Sequence, residues 1–191
     1  MKNILSITAI VFSGLFSSQV IISDAVGTAP VGQKTSVLLE FAANQNKGII
    51  LPYVRTLPVG AGLAEGTIVL DATNQAAARV KFYNGVTTGV ATGWVDLSSG
   101  HNADITSFMT LQPAASTVTE DTGAKVIIGA DASTADGVLV LESSTKALIL
   151  PIVSDTNNIP DPAPGMMVYI NKAGAKRLAV YNGAGWTYWK P

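Results

Sequence analysis

The chain repeats itself, and no other feature constrains its fold as much. Val20-Ile21-Ile22 recurs as Val126-Ile127-Ile128, Leu39-Glu40 as Leu141-Glu142, Pro52 as Pro151, Gly66 as Gly165, Tyr83-Asn84-Gly85 as Tyr181-Asn182-Gly183, and Trp94 as Trp186. The offsets fall in order through 106, 102, 99, 99, 98 and 92 residues, as they do when one duplicated unit has its loops trimmed afterwards. Duplicated units of this kind build architecture by stacking neighbours against each other. A duplication without a reactive constellation points to a structural or binding protein rather than an enzyme.

Inside each unit the apolar pattern has period 2. Val80 and Phe82 alternate with Arg79, Lys81 and Tyr83, and Leu178 and Val180 alternate with Arg177, Ala179 and Tyr181. These are half-buried strands. Each runs into Asn-Gly, a hairpin signal expected to form a type I′ turn with both central residues at positive φ. Return strands follow at Gly93 to Leu97 and Gly185 to Trp189, and the first hairpin carries an added loop from Val86 to Gly93. Further strands are expected at Val37 to Phe41, Gly48 to Val54, Thr67 to Asp71, Val138 to Glu142, Ala147 to Val153 and Met166 to Ile170. A short turn of helix fits Leu57 to Glu65 or Ala72 to Ala78, and Ile105 to Leu111 reads as a strand within the segment from Ser98 to Lys125. The expected class is therefore all-β: two homologous, hairpin-rich antiparallel units of sandwich-like form with little or no helix. Whether they make two domains or one merged sheet stays open.

The first residues, Lys2 followed by an apolar stretch to Phe16 and then Ser17-Ser18, have the order of a secretory signal and are short for a membrane span. Cleavage after Ser18 starts the mature chain at Gln19, and cleavage after Ala25 would remove the Val20 strand that the second unit keeps. The expected division is thus 1–18 signal peptide, 19–97 first repeat, 98–125 connector and 126–191 second repeat. Secretion makes the absence of cysteine informative, because small secreted domains often rely on disulfides. Stability must come from core burial or from assembly. With 12 basic against 13 acidic side chains, no basic patch calls for nucleic acid or anionic lipid. Charged residues make up 13% of the chain, about half the usual share, which suits a surface covered by neighbours.

No residue set carries catalysis or a cofactor. The single histidine, His101, lies near Asp104 but lacks a nucleophile motif, and metal binding through His or Cys has too few ligands. Asp155, Asn157, Asn158 and Asp161 cluster without the spacing of a calcium loop, so they read as a Pro-broken turn. Gly60-Ala61-Gly62 lacks the lysine and the strand-to-helix context of a phosphate loop. Among the aromatics, Trp94 and Trp186 are expected to anchor the core beneath each hairpin beside Tyr83 and Tyr181. Tyr188 and Trp189 are read either as core or as a sugar-stacking surface. Val20, Ile21 and Ile22, with Val126, Ile127 and Ile128, form apolar strands beside Gly- and Ala-rich segments. They could add to a sheet edge of another chain or pair within their own.

The run Pro151, Gly165-Met166-Met167-Val168-Tyr169, Tyr181-Asn182-Gly183 and Trp186 resembles a short β module of secreted Bacteroidota-type surface proteins and of phage tail-fibre proteins. Pro52, Gly66-Thr67-Ile68-Val69, Tyr83-Asn84-Gly85 and Trp94 repeat it, with Leu70 in place of the tyrosine. The resemblance implies β structure, an extracellular location and a role in fibres, appendages or surface layers, and it brings no catalytic residues. The functional expectation is a secreted structural subunit, not an enzyme, that assembles with itself into an extracellular fibre or surface layer. The alternative is a carbohydrate- or host-binding adhesin module that uses Tyr188, Trp189 and the Val86 to Gly93 loop.

Overall fold

The computed structural model describes residues 19–23, 27–42, 45–89, 91–113, 118–119, 121 and 123–189. The expected leader, residues 1–18, and Ala25, the other cleavage point, lie outside them. The first repeat holds seven strands: β1 (Val20–Ile22), β2 (Val37–Phe41), β3 (Ile49–Ile50), β4 (Tyr53–Val54), β5 (Ile68–Asp71), β6 (Arg79–Tyr83) and β7 (Trp94–Asp96). The second repeat holds the same seven in the same order: β8 (Val126–Ile128), β9 (Leu139–Leu141), β10 (Ala147–Leu148), β11 (Ile152–Val153), β12 (Met166–Ile170), β13 (Arg177–Tyr181) and β14 (Trp186–Trp189). One four-residue helix, α1 (Thr106–Met109), lies between them. The fold is all-β with little helix.

Both hairpin sheets are antiparallel where the period-2 pattern placed them, with β5, β6 and β7 matched by β12, β13 and β14. The leading strands differ, since β1 pairs β2, β4 pairs β5, β8 pairs β9 and β11 pairs β12 in parallel. Parallel neighbours need a crossover rather than a tight turn, and residues 27–36 and 129–138 lie on these crossovers. Val20–Ile22 and Val126–Ile128 are therefore not free arms within this chain. Each is bonded along one edge to a strand of its own repeat.

The structural register corrects one sequence match. Val20 lies opposite Leu39 and Val126 opposite Leu139, while the Ala42 and Glu142 amides donate to the Ile22 and Ile128 carbonyls. Leu39-Glu40 thus corresponds to Leu139-Val140, two residues before Leu141-Glu142. A slip of two leaves every side chain on its original face, so the apolar pattern alone does not detect it. Glu40 consequently has no acidic counterpart. It is fully buried and accepts bonds from the Thr28 and Ala29 amides at 2.9 and 2.7 Å, the Lys34 ammonium at 3.0 Å and the Gln19 amide group. Burial pushes its pKa up, but the Ala29 amide and Lys34 outweigh that and hold it below the ordinary value.

Three local expectations also change. At the two Asn-Gly steps the residues with positive φ are Gly85 and Gly183 and not the asparagines, so the turns are not type I′. Asn182 instead works through its side chain. Its Oδ1 accepts the Ala184 and Gly185 amides at 3.0 and 3.1 Å, and its Nδ2 donates to the His101 carbonyl at 2.8 Å. Residues 105–111, expected as a strand, contain α1, because Asp104 Oδ1 accepts the Thr106 amide and turns the chain while Met109 N–H bonds back to Ile105. The expected strands 48–54 and 147–153 are each broken in two ahead of or at their proline. Of the two suggested helical turns, Gln75–Ala77 forms one, capped by Asn74, and 57–65 forms none.

The main core lies between the repeats. Leu70, Val80 and Leu97 of the first meet Met167 and Val180 of the second, with Ala103, Ile105 and Met109 of the connector buried among them. Ile105 and Met109 are four residues apart around α1, which puts both side chains on one face. A second cluster, Val153, Ile159, Met166, Val168, Ile170 and Ala179, belongs to the second repeat alone and carries Tyr181 and Trp186 at its margin.

Candidate self-association surfaces

Strand exchange merges the repeats. β3, from the first repeat, adds to β12 of the second in antiparallel register, Ile50 opposite Met166 and Ile49 opposite Met167. β10, from the second repeat, adds to β2 of the first in parallel, Ala147 opposite Val37 and Leu148 opposite Leu39. Gly48 permits the first contact, since a Cβ there would stand 2.9 Å from the Met167 carbonyl and 2.3 Å from Met166 Cγ. Tyr53 closes the junction by donating its hydroxyl to the Pro164 carbonyl at 2.7 Å, in surroundings whose burial pushes the phenol pKa up. Asn182, Thr187 and Trp189 tie the second hairpin to the end of the first, the latter two through the Leu97 carbonyl at 2.8 and 2.9 Å.

Each repeat thus gives one short strand and takes one, yet the exchange is incomplete. In the first repeat the edge of β5 next to Gly66, equivalent to the β12 edge that takes β3, has no strand beside it among the described residues. In the second, the outer edge of β9, equivalent to the β2 edge that takes β10, is also unpaired among the described residues. Burial follows the pairing. Leu39, covered by β10, is 1% exposed, whereas its equivalent Leu139 is 45% exposed. Met166 and Met167 are buried beneath β3, whereas their equivalents Thr67 and Ile68 are only half-buried and Gly66 is exposed. Ile50, on the far side of β3, is 55% exposed and lines an open groove of about 620 Å³ with Lys47, Gly48, Ile159 and Met166.

The aromatic residues take different places. Tyr83 and Trp94 pack with ring centroids 5.3 Å apart and Tyr181 and Trp186 with centroids 5.2 Å apart, each pair half-buried across its hairpin. Tyr188 and Trp189 are 47% and 39% exposed. Their polar groups are engaged, the hydroxyl by Thr156 at 3.0 Å and the indole N–H by Leu97, and Arg177 stacks over the Tyr188 ring at 5.6 Å. His101 is exposed in its loop. Asp155 caps the short helical turn Thr156–Asn158 by accepting the Asn157 amide, which with Lys172 lowers its pKa. Among the described residues no three His, Cys, Asp or Glu side chains converge on a common point, and no helix is long and apolar enough to cross a membrane. Sequence reasoning placed strands over β3 and β10 but missed their exchange between the repeats and the edges left open, because 48–54 and 147–153 each read as one strand within one repeat.

Residues 127–191 match the family described as a phage tail like trimerisation region. The matched third of the chain is the second repeat from its first strand onward. The match fits the tail-fibre resemblance, supports a structural role of that kind and implies association of like chains. No curated protein and no solved structure matches the chain.

Proposed function

We propose that the chain is a non-catalytic structural subunit of an extracellular, tail-fibre-like assembly, formed by copies of itself and built around the second repeat. The observation that carries this reading is the match of residues 127–191 to a trimerisation region, in a repeat whose β9 edge and Leu139 lack a neighbour that the equivalent β2 and Leu39 have. Exposed apolar side chains on a strand edge are a liability for a monomer and a resource for an assembly. The secretory leader expected from Lys2 to Ser18 would place such an assembly outside the cell. Light scattering of the purified full chain tests the reading. A homo-oligomer is expected, with three chains the number that the family match carries, and a monomer at all concentrations would overturn it.

The adhesin reading draws on the exposed ring faces of Tyr188 and Trp189. Their engaged hydroxyl and indole groups leave few directional contacts for a sugar. Glycan-array binding that is lost on replacing both rings would favour it.

A further inference from the structure

We infer that copies of this chain join head to tail by continuing, between chains, the strand exchange that already joins the two repeats within one chain. This rests on the self-association proposed above and adds its surfaces and register.

The internal junction has a polarity. The first repeat gives its β3 to β12 of the second, and the second gives its β10 to β2 of the first. A two-fold relation between the repeats would also pair β10 with β5 and β3 with β9, and neither pairing is present. The relation is therefore directional. The second repeat ends with the surface that the first used to receive it, and the first begins with the surface that the second used to dock. The open surface of one chain thus fits the opposite open surface of another. A heterologous contact of this kind repeats until it closes.

The backbone is already set for it. Successive amides along a strand point to opposite edges. Leu51 N–H donates to the Gly165 carbonyl on the β12 side, whereas Ile149 N–H donates to the Leu39 carbonyl on the β2 side. By the 99-residue offset Ile149 corresponds to Ile50, so the Ile50 amide points away from β12 into the groove, while Leu150 N–H points away from β2. One short strand can therefore serve two sheets at once. On β9, Val138 O and Glu142 N bond inward to β8, which leaves Leu139 and Leu141 with their amides and carbonyls outward.

Transferring the internal register gives the contacts. Ile49 of one copy lies opposite Leu139 of another, in parallel, with Ile50 N–H donating to the Leu139 carbonyl. Leu148 of that other copy lies opposite Ile68, antiparallel, with Leu150 N–H donating to the Gly66 carbonyl. Leu139 and Ile50, exposed in the single chain, are covered in the same step.

The chain has no cysteine, so engineered thiols report without background. The full chain carrying Ile49→Cys and Leu139→Cys is oxidised beside an internal control carrying Leu39→Cys and Leu148→Cys. The expected result is a disulfide-linked ladder of chains under non-reducing conditions, lost on reduction, that needs both thiols, and an in-chain bridge with no ladder for the control. A Leu139→Pro variant, which loses an amide that β8 does not use, is expected to lower the oligomer's affinity at least tenfold while its melting curve stays that of the monomer. Absence of a ladder from the Ile49→Cys, Leu139→Cys chain, where the unmodified chain is oligomeric by light scattering, overturns this docking and leaves self-association standing. So does a ladder from Leu139→Cys with Leu148→Cys, which would mean that second repeats pair with each other. Failure of the control bridge overturns the register, and a monomeric unmodified chain overturns the functional reading itself.

Discussion

Replacing Glu40 by Ala removes the one acceptor shared by four donors in the first repeat. The Ala29 amide, in a residue 7% exposed, is left without its 2.7 Å partner, and a buried unsatisfied N–H costs about 1–3 kcal/mol. The Thr28 amide loses its bond in a half-buried setting and adds a smaller cost. Lys34 recovers part of its solvation, because its side chain is 23% exposed, so the penalty falls near the low end for breaking a buried ion pair. The sum is a loss of about 3 kcal/mol. Glu40→Gln, which keeps the shape and one acceptor oxygen, is expected to lose about half as much. Chemical denaturation followed by tryptophan fluorescence measures both. The pH dependence has a definite sign: a carboxylate held below its ordinary pKa in the folded state stabilises above the unfolded value of about 4.3, and that stability drains away as the pH falls through the folded pKa. The wild type should therefore lose stability on acidification below about pH 4.3 by more than Glu40→Ala does. A Glu40→Ala chain within about 0.5 kcal/mol of wild type at pH 7 would refute the assignment of these bonds as stabilising.

Three further outcomes follow from the junction and the hairpins. Gly48→Ala forces a methyl against the Met167 carbonyl, which cannot rotate away, and is expected to destabilise by about 1–3 kcal/mol in thermal melts. Asn182→Ala removes the acceptor for two turn amides and the donor to His101, and a loss of about 2 kcal/mol is expected by denaturant titration. Leu39→Ala should cost about 2–5 kcal/mol of folding stability, whereas Leu139→Ala should leave monomer stability nearly unchanged and weaken association in sedimentation runs.

The hairpins were legible in the sequence because the alternation around Val80 and Val180 and the turn residues after Tyr83 and Tyr181 are local signals. Their turn chemistry was only half legible, since Asn182 acts through side-chain bonds to residues 101, 184 and 185 and not through its own φ. Strand exchange left no local trace. Ile49 and Leu148 look alike in composition, and which sheet each joins depends on the neighbouring repeat. The correspondence of Leu39 with Leu139 was hidden by a tempting Leu-Glu match two residues on, which period 2 cannot tell apart. Ile105 and Met109 lie in a polar, Ser- and Thr-rich segment, and their burial between the repeats depends on the hairpin that Asn182 and Thr187 hold over that end of the core.

The most direct test of the account is the three-dimensional structure of the assembled particle by cryo-electron microscopy. The expected map shows β10 seated on β2 within each chain, and β3 of each chain seated both on its own β12 and on β9 of another copy, with Ile49 beside Leu139. A map in which the β9 edge faces solvent, or in which the repeats of one chain do not share strands, would contradict it.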